Sequence, residues 1–154
     1  MRTAYINGRW PIKLPEHRAR FHEERPWWEA ARLADMHAYT WFWSPVRLID
    51  IGSEEGDLTA LYASWGFEVA FIDPSKAWIR QTHDILTANG LPFGPSFTGL
   101  ADNRVELTVK TVDEPRFVTM DEPVGRTTLD NFCEYFDFYP TPCRWMWKAP
   151  SSEF

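Results

Sequence analysis

The chain has 154 residues, of which 44% are hydrophobic and 25% charged, as expected for a single soluble globular domain spanning residues 1–154. Its net charge of −6 and its lack of a basic run exclude a protein that binds nucleic acid mainly through the phosphate backbone. No segment is apolar and long enough to span a membrane, and Met1–Trp10 lacks the apolar core of a secretory signal, so we expect a cytoplasmic protein. Cys133 and Cys143 are then expected to be free thiols.

Residues 1–45 are predicted to form an N-terminal cap made of a hairpin and a helix. Asn7-Gly8 lies within the run Ala4–Ile12, and Asn-Gly is the strongest two-residue hairpin signal because both turn positions need positive φ. A charged segment between two prolines follows. Pro26 suits the first turn of a helix, which helix-forming residues continue from Trp27 to Tyr39.

Residues 46–154 are predicted to form the main core, which begins with a strand, a glycine turn and a helix. Val46–Ile51 is a short apolar run that ends in Gly52, as a buried parallel strand does. The next apolar residues recur at the spacing of one helical stripe, which Gly66 ends: Leu58, Leu61, Tyr62 and Trp65.

A second strand and a second helix follow. Glu68–Ile72 is predicted as a strand, and Ser75 is predicted to cap a helix that runs to about Asn89 with Trp78 among its apolar positions. Ser96–Leu100 is the third predicted strand. This alternation predicts an α/β fold with a Rossmann-like parallel sheet and right-handed crossovers.

The remaining segments show strand and helix patterns in a different order. Val105–Val112 and Arg116–Met120 alternate as antiparallel strands do. Thr127–Asp130 is predicted to open an amphipathic helix that continues through Phe136, and Arg144–Lys148 is predicted as one more strand.

The segment Asp50–Asp57 links the first core strand to its helix and carries the predicted ligand site. Gly52 and Gly56 allow a sharp turn and let a ligand approach the backbone without meeting a Cβ. Asp73 follows about twenty residues later at the end of the next strand, where an acid can hydrogen-bond a ribose diol. Dinucleotides and S-adenosylmethionine both use this geometry.

The charge of the loop distinguishes the two ligands. A pyrophosphate at the helix N-terminus would be repelled by Glu54, Glu55 and Asp57, whereas S-adenosylmethionine has no phosphate and carries a sulfonium and an ammonium. Glu54 also stands where the G-x-G-x-x-G pattern needs a second glycine. S-adenosylmethionine is therefore the predicted cofactor, with Asp73 on its ribose and a loop contact set of Asp50, Gly52, Ser53 and Gly56. Two alternatives stay open: acids that only complement the helix dipole above a tight turn, and a nucleotide-dependent oxidoreductase.

These segments resemble the FkbM-type methyltransferases over roughly residues 27–135. The resemblance rests on Leu48–Thr59, with its Gly-Asp-Leu-Thr ending, and on the shorter runs Gly66–Val69, Asp73–Ser75, Asn89–Leu91, Leu100–Asp102 and Thr128–Asp130. Members are class I S-adenosylmethionine-dependent enzymes, generally thought to methylate hydroxyls of sugars or other small metabolites. The resemblance implies a three-layer α/β/α sheet, O-methylation of a small-molecule or sugar hydroxyl, and a position for Asp102 beside the adenine.

The chain departs from the family pattern in its second half. A late strand of the family carries two acids that face the reaction centre, and the corresponding segment Pro142–Pro150 has neither. Further strands of the family would follow where this chain ends at Phe154, so we expect an incomplete sheet, in a fragment or in a shortened relative. The alternative function is a catalytically inactive module of this fold that serves as a binding or assembly scaffold.

The sequence assigns neither a catalytic base nor a metal site. The four histidines are interpreted as surface or packing residues, and neither they nor the two cysteines have the spacing of metal ligands: His17, His22, His37 and His83. Nine tryptophans in so short a chain favour aromatic rings at an interface or at the mouth of a cleft. A homo- or hetero-oligomer formed through Trp-rich surfaces is therefore expected.

Overall fold

The computed structural model describes residues 1–42, 47–102 and 125–140, and within them the chain forms six strands and five helices. In chain order the elements are β1 (Arg2–Ile6), β2 (Trp10–Leu14), α1 (Glu16–Glu24), α2 (Ala30–Phe42), β3 (Arg47–Ile51), α3 (Asp57–Ser64), β4 (Glu68–Asp73), α4 (Lys76–Ala88), β5 (Ser96–Asp102), β6 (Gly125–Thr128) and α5 (Leu129–Phe136). None of the helices in this described part has the length and apolar character that a membrane crossing requires.

The N-terminal hairpin is confirmed. β1 pairs antiparallel with β2, Ile6 stands opposite Trp10, and the turn between them places Asn7 at φ 54° and Gly8 at φ 64°. Both turn positions thus have a positive φ, which asparagine and glycine adopt more readily than other residues. The inward residues of the two strands are buried in the main core: Ala4, Ile6, Ile12 and Leu14.

The helical part of the cap differs from the sequence prediction. The charged segment between the prolines forms a helix of its own, α1, and the predicted helix from Trp27 begins only at Ala30. Glu29 explains the late start, because its φ of 49° is left-handed and cannot belong to a right-handed helix. Pro26 accordingly precedes α2 by several residues and does not occupy its first turn.

The four core strands form one sheet in the order β3-β4-β5-β6, and every pair is parallel. Ile51 stands opposite Ile72, Asp73 opposite Thr98, and Asp102 opposite Thr128, so the carboxyl ends of all four strands point to the same edge, where β5 and β6 extend beyond β3 and β4. The strands predicted from Val46, Glu68 and Ser96 are present with closely similar bounds.

The strand β6 was absent from the predicted elements. Thr127 is the predicted first residue of a helix, yet Gly125–Thr128 pairs with β5 and the helix α5 begins at Leu129. Thr128 ends the strand and caps the helix, since its hydroxyl accepts the backbone N–H of Asn131 at 3.1 Å. The amphipathic helix through Phe136 is confirmed.

Two hydrophobic clusters cover the two faces of the sheet. On β4, Val69 and Phe71 belong to the cluster that contains α3 and α4, whereas Ala70 and Ile72 belong to the cluster that contains Phe132 of α5. Alternation along a strand sends successive side chains to opposite faces, so helices lie on both sides of the sheet. The described part is therefore an α/β fold of the Rossmann-like type.

The tryptophans, the cysteines and the last predicted strands remain to be compared with the structure. Trp78, predicted as an apolar core position of α4, is 38% exposed, and Trp27 is 70% exposed. Cys133 is buried with a free thiol. Outside the described residues lie Val46, Val105–Val112, Arg116–Met120, Cys143 and Arg144–Lys148.

Gly56, where the β3–α3 bend meets α3, generates a test of the helix packing. A Cβ at Gly56 would lie 2.3 Å from the hydroxyl oxygen and 2.8 Å from the Cα of Thr82 on α4. Gly56→Ala should lower the free energy of unfolding by about 2–5 kcal/mol, through left-handed strain and overpacking together. Gly66→Ala, at the other end of α3, has a positive φ but no atom of the described residues near its Cβ, and should cost only about 1–2 kcal/mol. Equal losses in urea titrations of the two variants would contradict the close approach of α4.

Candidate functional site

The candidate site lies at the carboxyl edge of the sheet, where three strands carry an acidic residue at or near their ends. Asp50, Asp73 and Asp102 stand at or beside the carboxyl ends of the adjacent strands β3, β4 and β5. In open α/β sheets, ligands bind in the crevice outside this edge. The register places Asp50 and Asp73 close to the same level of the sheet, whereas Asp102 lies four residues, or about 13 Å, further along β5 than Thr98, the residue opposite Asp73.

The bend Gly52–Gly56 between β3 and α3 is bound to the end of β4. The Ile72 carbonyl accepts the N–H of Gly52 at 2.8 Å and the N–H of Ser53 at 3.3 Å. The Gly56 N–H returns to the Ser53 carbonyl at 3.0 Å and closes a turn. Three backbone donors of the bend are therefore used inside the protein.

Asp73 holds both the bend and the start of α4. One carboxylate oxygen accepts the Glu54 N–H at 2.9 Å and the other accepts the Ser75 N–H at 2.7 Å. Asp73 is 1% exposed. Burial raises its pKa above the ordinary range, although the two backbone hydrogen bonds oppose that shift. A ribose diol would reach this carboxylate only if the bend near Glu54 moved.

The two glycines of the bend have different roles. Gly52 has φ 74°, and among the described residues no atom lies within 4 Å of the position that a Cβ would take, so its outer side is open. Gly56 has φ 83°, and its Cβ side is filled by Thr82. The ligand approach predicted for both glycines is thus geometrically possible at Gly52, whereas Gly56 serves the packing of α3 against α4.

Ser53 carries a polar atom that the described residues leave without a partner. The residue is 6% exposed, and its hydroxyl oxygen makes no hydrogen bond to any of them. A buried hydroxyl without a partner is costly, and in a native protein it calls for a ligand, a water molecule or a catalytic role. Ser53 directly follows Gly52 in the chain.

Asp50 is fixed by the last residue of the Gly-Asp-Leu-Thr motif. The Thr59 hydroxyl donates to one Asp50 carboxylate oxygen at 2.6 Å, and the other oxygen has no partner in the described part of the chain. Burial raises the Asp50 pKa, although the hydrogen bond from Thr59 and the charge of Arg32 on α2 oppose it. Asp50 is a half-buried acid next to the carboxyl end of β3.

The helix α1 supplies contacts to the bend that sequence reasoning missed. Arg18 donates to Asp57 at 2.6 and 3.1 Å, and His22 Nε2 lies 2.5 Å from the same carboxylate oxygen. Burial alone would raise the Asp57 pKa, but the hydrogen bond from His22 and the charge of Arg18 hold it below its ordinary value. Arg18 and His22 lie four residues apart, which is the spacing of one helical face and the only signal in the sequence.

Glu55 is held from both sides. His17 Nε2 lies 2.8 Å from the Glu55 carboxylate, and the Gln81 side-chain amide on α4 donates to that carboxylate at 2.7 Å and to the Glu55 carbonyl at 2.8 Å. Glu55 and Asp57, two of the three acids expected to repel a pyrophosphate, are thus paired with side chains of α1, which the sequence did not predict.

The histidines also separate into different environments. His22 is fully buried against Asp57, whereas the side chain of His17 is 57% exposed. His83 packs against Phe71 and Phe93 and lies 3.2 Å from the Ser96 hydroxyl, at the edge of the sheet opposite the site. Over the described ranges, no group of three His, Cys, Asp or Glu side chains is placed to hold a metal ion.

Comparisons with known proteins leave the family of the chain open. No family model, no curated protein and no solved structure matches it. The likeness to FkbM-type methyltransferases therefore remains a resemblance between sequence motifs, and function has to be inferred from the geometry.

The pairing of Asp57 predicts a dependence of stability on pH. A carboxyl whose folded-state pKa is depressed contributes stability above its unfolded pKa, ordinarily 3.8, and loses it as the pH falls through the folded-state pKa. Asp57→Asn should therefore be less stable than the wild type by about 2–4 kcal/mol at pH 7, and the difference should shrink towards pH 3 and below.

Urea titrations between pH 2.5 and 7 measure this difference. Asp35→Asn, at an exposed position of α2, makes the same chemical change and should show no comparable difference at any pH. A deficit of Asp57→Asn that stays constant over the whole range would show that the charge of Asp57 does not stabilise the fold.

Proposed function

We propose that the crevice at the carboxyl ends of β3 and β4 binds S-adenosylmethionine and that the protein is a methyltransferase. The observation that carries the proposal is the open outer side of Gly52 next to the buried, unpartnered hydroxyl of Ser53. An open backbone beside an unsatisfied polar atom fits a ligand that approaches the main chain and hydrogen-bonds there.

The donors of the bend favour a cofactor without phosphate. A phosphate-binding loop presents several free backbone N–H groups to its ligand. Here the N–H groups of Gly52, Ser53 and Glu54 are used by Ile72 and Asp73. An anion would therefore meet few free donors and the carboxylates of Asp50 and Glu54, which supports a cationic ligand over a dinucleotide.

The residues fit S-adenosylmethionine in the following way. Ser53 and the free oxygen of Asp50 would contact the polar groups of its methionine end, and the open side of Gly52 would admit the ligand. Asp73 would hold the ribose after a shift of the bend at Glu54, and Asp102 would lie near the adenine, as the resemblance implies.

The cofactor supplies an electrophilic methyl group when bound. The chain's own contribution is to bind and orient the reactants, since methyl transfer depends mainly on alignment. The motif resemblance suggests a hydroxyl of a small molecule or sugar as the acceptor. The described residues do not assign a base.

A second candidate function is a non-catalytic module of the same fold. The observation that favours it is Asp73, which is 1% exposed and has both carboxylate oxygens engaged by backbone N–H groups. A site whose acid is closed off in this way is stable without a ligand. Light scattering after size exclusion would support this function if a defined assembly formed while the crevice bound neither S-adenosylmethionine nor its demethylated product.

Ser53 separates a ligand contact from a structural contact. Ser53→Ala removes a hydroxyl that has no partner in the described structure, so the free energy of unfolding should stay unchanged or rise by about 1 kcal/mol. The affinity for S-adenosylmethionine should fall about three- to tenfold, because a ligand hydrogen bond is lost. Isothermal titration and urea denaturation on the same samples measure both quantities.

Ser64→Ala is the matched control, since Ser64 lies at the far end of α3 and its hydroxyl donates to the Leu61 carbonyl at 2.6 Å. It should leave the affinity unchanged. Wild-type protein that gives no heat with either S-adenosylmethionine or S-adenosylhomocysteine would refute the proposed cofactor. Unchanged affinity in Ser53→Ala would remove Ser53 from the site.

A further inference from the structure

The helix α1 connects the N-terminal hairpin with the bend Gly52–Gly56. Arg2 on β1 pairs with Glu16 at 2.6 Å and also with Glu23, which lies seven residues later on the same helical face. Arg18 and His22 lie on roughly the opposite face and reach Asp57. The helix is thus tied to the hairpin on one side and to the first residue of α3 on the other.

The contacts to Asp57 leave that carboxylate little freedom. One oxygen takes both nitrogens of the Arg18 fork and His22 Nε2, and the other accepts the Leu58 N–H at 3.1 Å. Asp57 is 4% exposed, and the side chain of Arg18 is 16% exposed, so water competes weakly for these bonds.

His22 is explained by this contact and not by packing alone. It is fully buried, and its Nδ1 atom has no hydrogen-bond partner among the described residues. An apolar side chain of similar size would fill the same space between Phe21 and Trp28 without an unpaired nitrogen. The interaction that only a hydrogen-bonding residue provides here is the bond from Nε2 to Asp57.

We propose that Arg18 and His22 are positioning residues that act through Asp57 to hold Ser53 in its ligand-binding position, so that only the peptide group of Glu54 has to move when the ribose reaches Asp73. Asp57 directly follows Gly56, whose N–H closes the turn to the Ser53 carbonyl, so fixing Asp57 limits the motion of Ser53. A bend that is ordered before binding loses less conformational entropy when the ligand arrives. This inference rests on the proposed function of the crevice.

Arg18→Met tests the inference, with Arg20→Met as its matched control. Both variants remove one positive charge from the same helix, but the side chain of Arg20 is 66% exposed and pairs with Glu16 at 3.8 Å, away from Asp57. In isothermal titrations of the full chain with S-adenosylhomocysteine, Arg18→Met should bind about tenfold more weakly and Arg20→Met within about twofold of the wild type. Arg18→Lys keeps the charge without the fork and should bind about threefold more weakly, which also serves if Arg18→Met does not fold.

Amide hydrogen exchange reports on the bend itself. In Arg18→Met the amides of Gly52, Ser53 and Glu54 should exchange at least about tenfold faster, while those of β4 change much less, because only the bend is released. A purely structural role of Arg18 would accelerate the bend and the sheet together and leave the affinity of the folded protein unchanged. Either of those results would overturn the inference.

The two proposals fail in distinguishable ways. If the wild type binds no S-adenosylhomocysteine, the proposed cofactor is wrong, and exchange in the bend still decides whether Arg18 positions it. If the wild type binds and Arg18→Met binds equally well, the cofactor stands and the positioning role is wrong. Arg18→Met combined with Asp57→Asn should bind no more weakly than Asp57→Asn alone, because both changes break the same link.

Discussion

The bend between β3 and α3 keeps its shape because the end of β4 binds it. Two N–H groups donate to the Ile72 carbonyl and a third donates to the carboxylate of Asp73. These bonds turn the polar backbone of the bend towards the sheet, whereas a phosphate-binding loop turns it towards the ligand. In the proposed site, recognition would therefore depend on side chains and on the open outer side of Gly52.

The aspartates of the site fall into two groups, which differ in the direction of their pKa shifts. Asp57 has a lowered pKa because Arg18 and His22 outweigh its burial, and it stays ionised as part of the fold. Asp50 and Asp73 have raised pKa values because burial outweighs their hydrogen bonds. A cationic group in the crevice would offset the desolvation of these two carboxylates, whereas an anion would add to it. The proposal of a cationic ligand thus rests on the strand ends and not on the total charge of the loop.

Local signals explain which elements the sequence predicts correctly. Apolar runs define β3 and β4. The hydroxyls of Ser75 and Thr128 cap α4 and α5, so α4 begins where the pattern indicates, whereas α5 begins at Leu129 because Thr127 belongs to β6. Contacts remote in sequence determine the rest. The helix α1 has no apolar stripe and is held by Arg2, Asp57 and Glu55, whereas β6 is a short polar strand that exists because β5 offers a free edge. A glycine motif also cannot distinguish Gly52 from Gly56. Both have the positive φ that favours glycine, although the space beside Gly52 is open and the space beside Gly56 is filled by Thr82.

The motif Gly56-Asp57-Leu58-Thr59 is accounted for almost entirely by interactions inside the protein. Gly56 admits α4, Asp57 receives Arg18 and His22, and Thr59 holds Asp50. Residues whose hydrogen-bonding capacity is filled within the fold support its stability whether or not a ligand binds. The case for a ligand rests instead on the hydroxyl of Ser53, which has no partner among the described residues, next to the open side of Gly52. In this chain the motif stabilises the fold around the site, and the unpartnered hydroxyl of Ser53 beside it is the group that a ligand could bind.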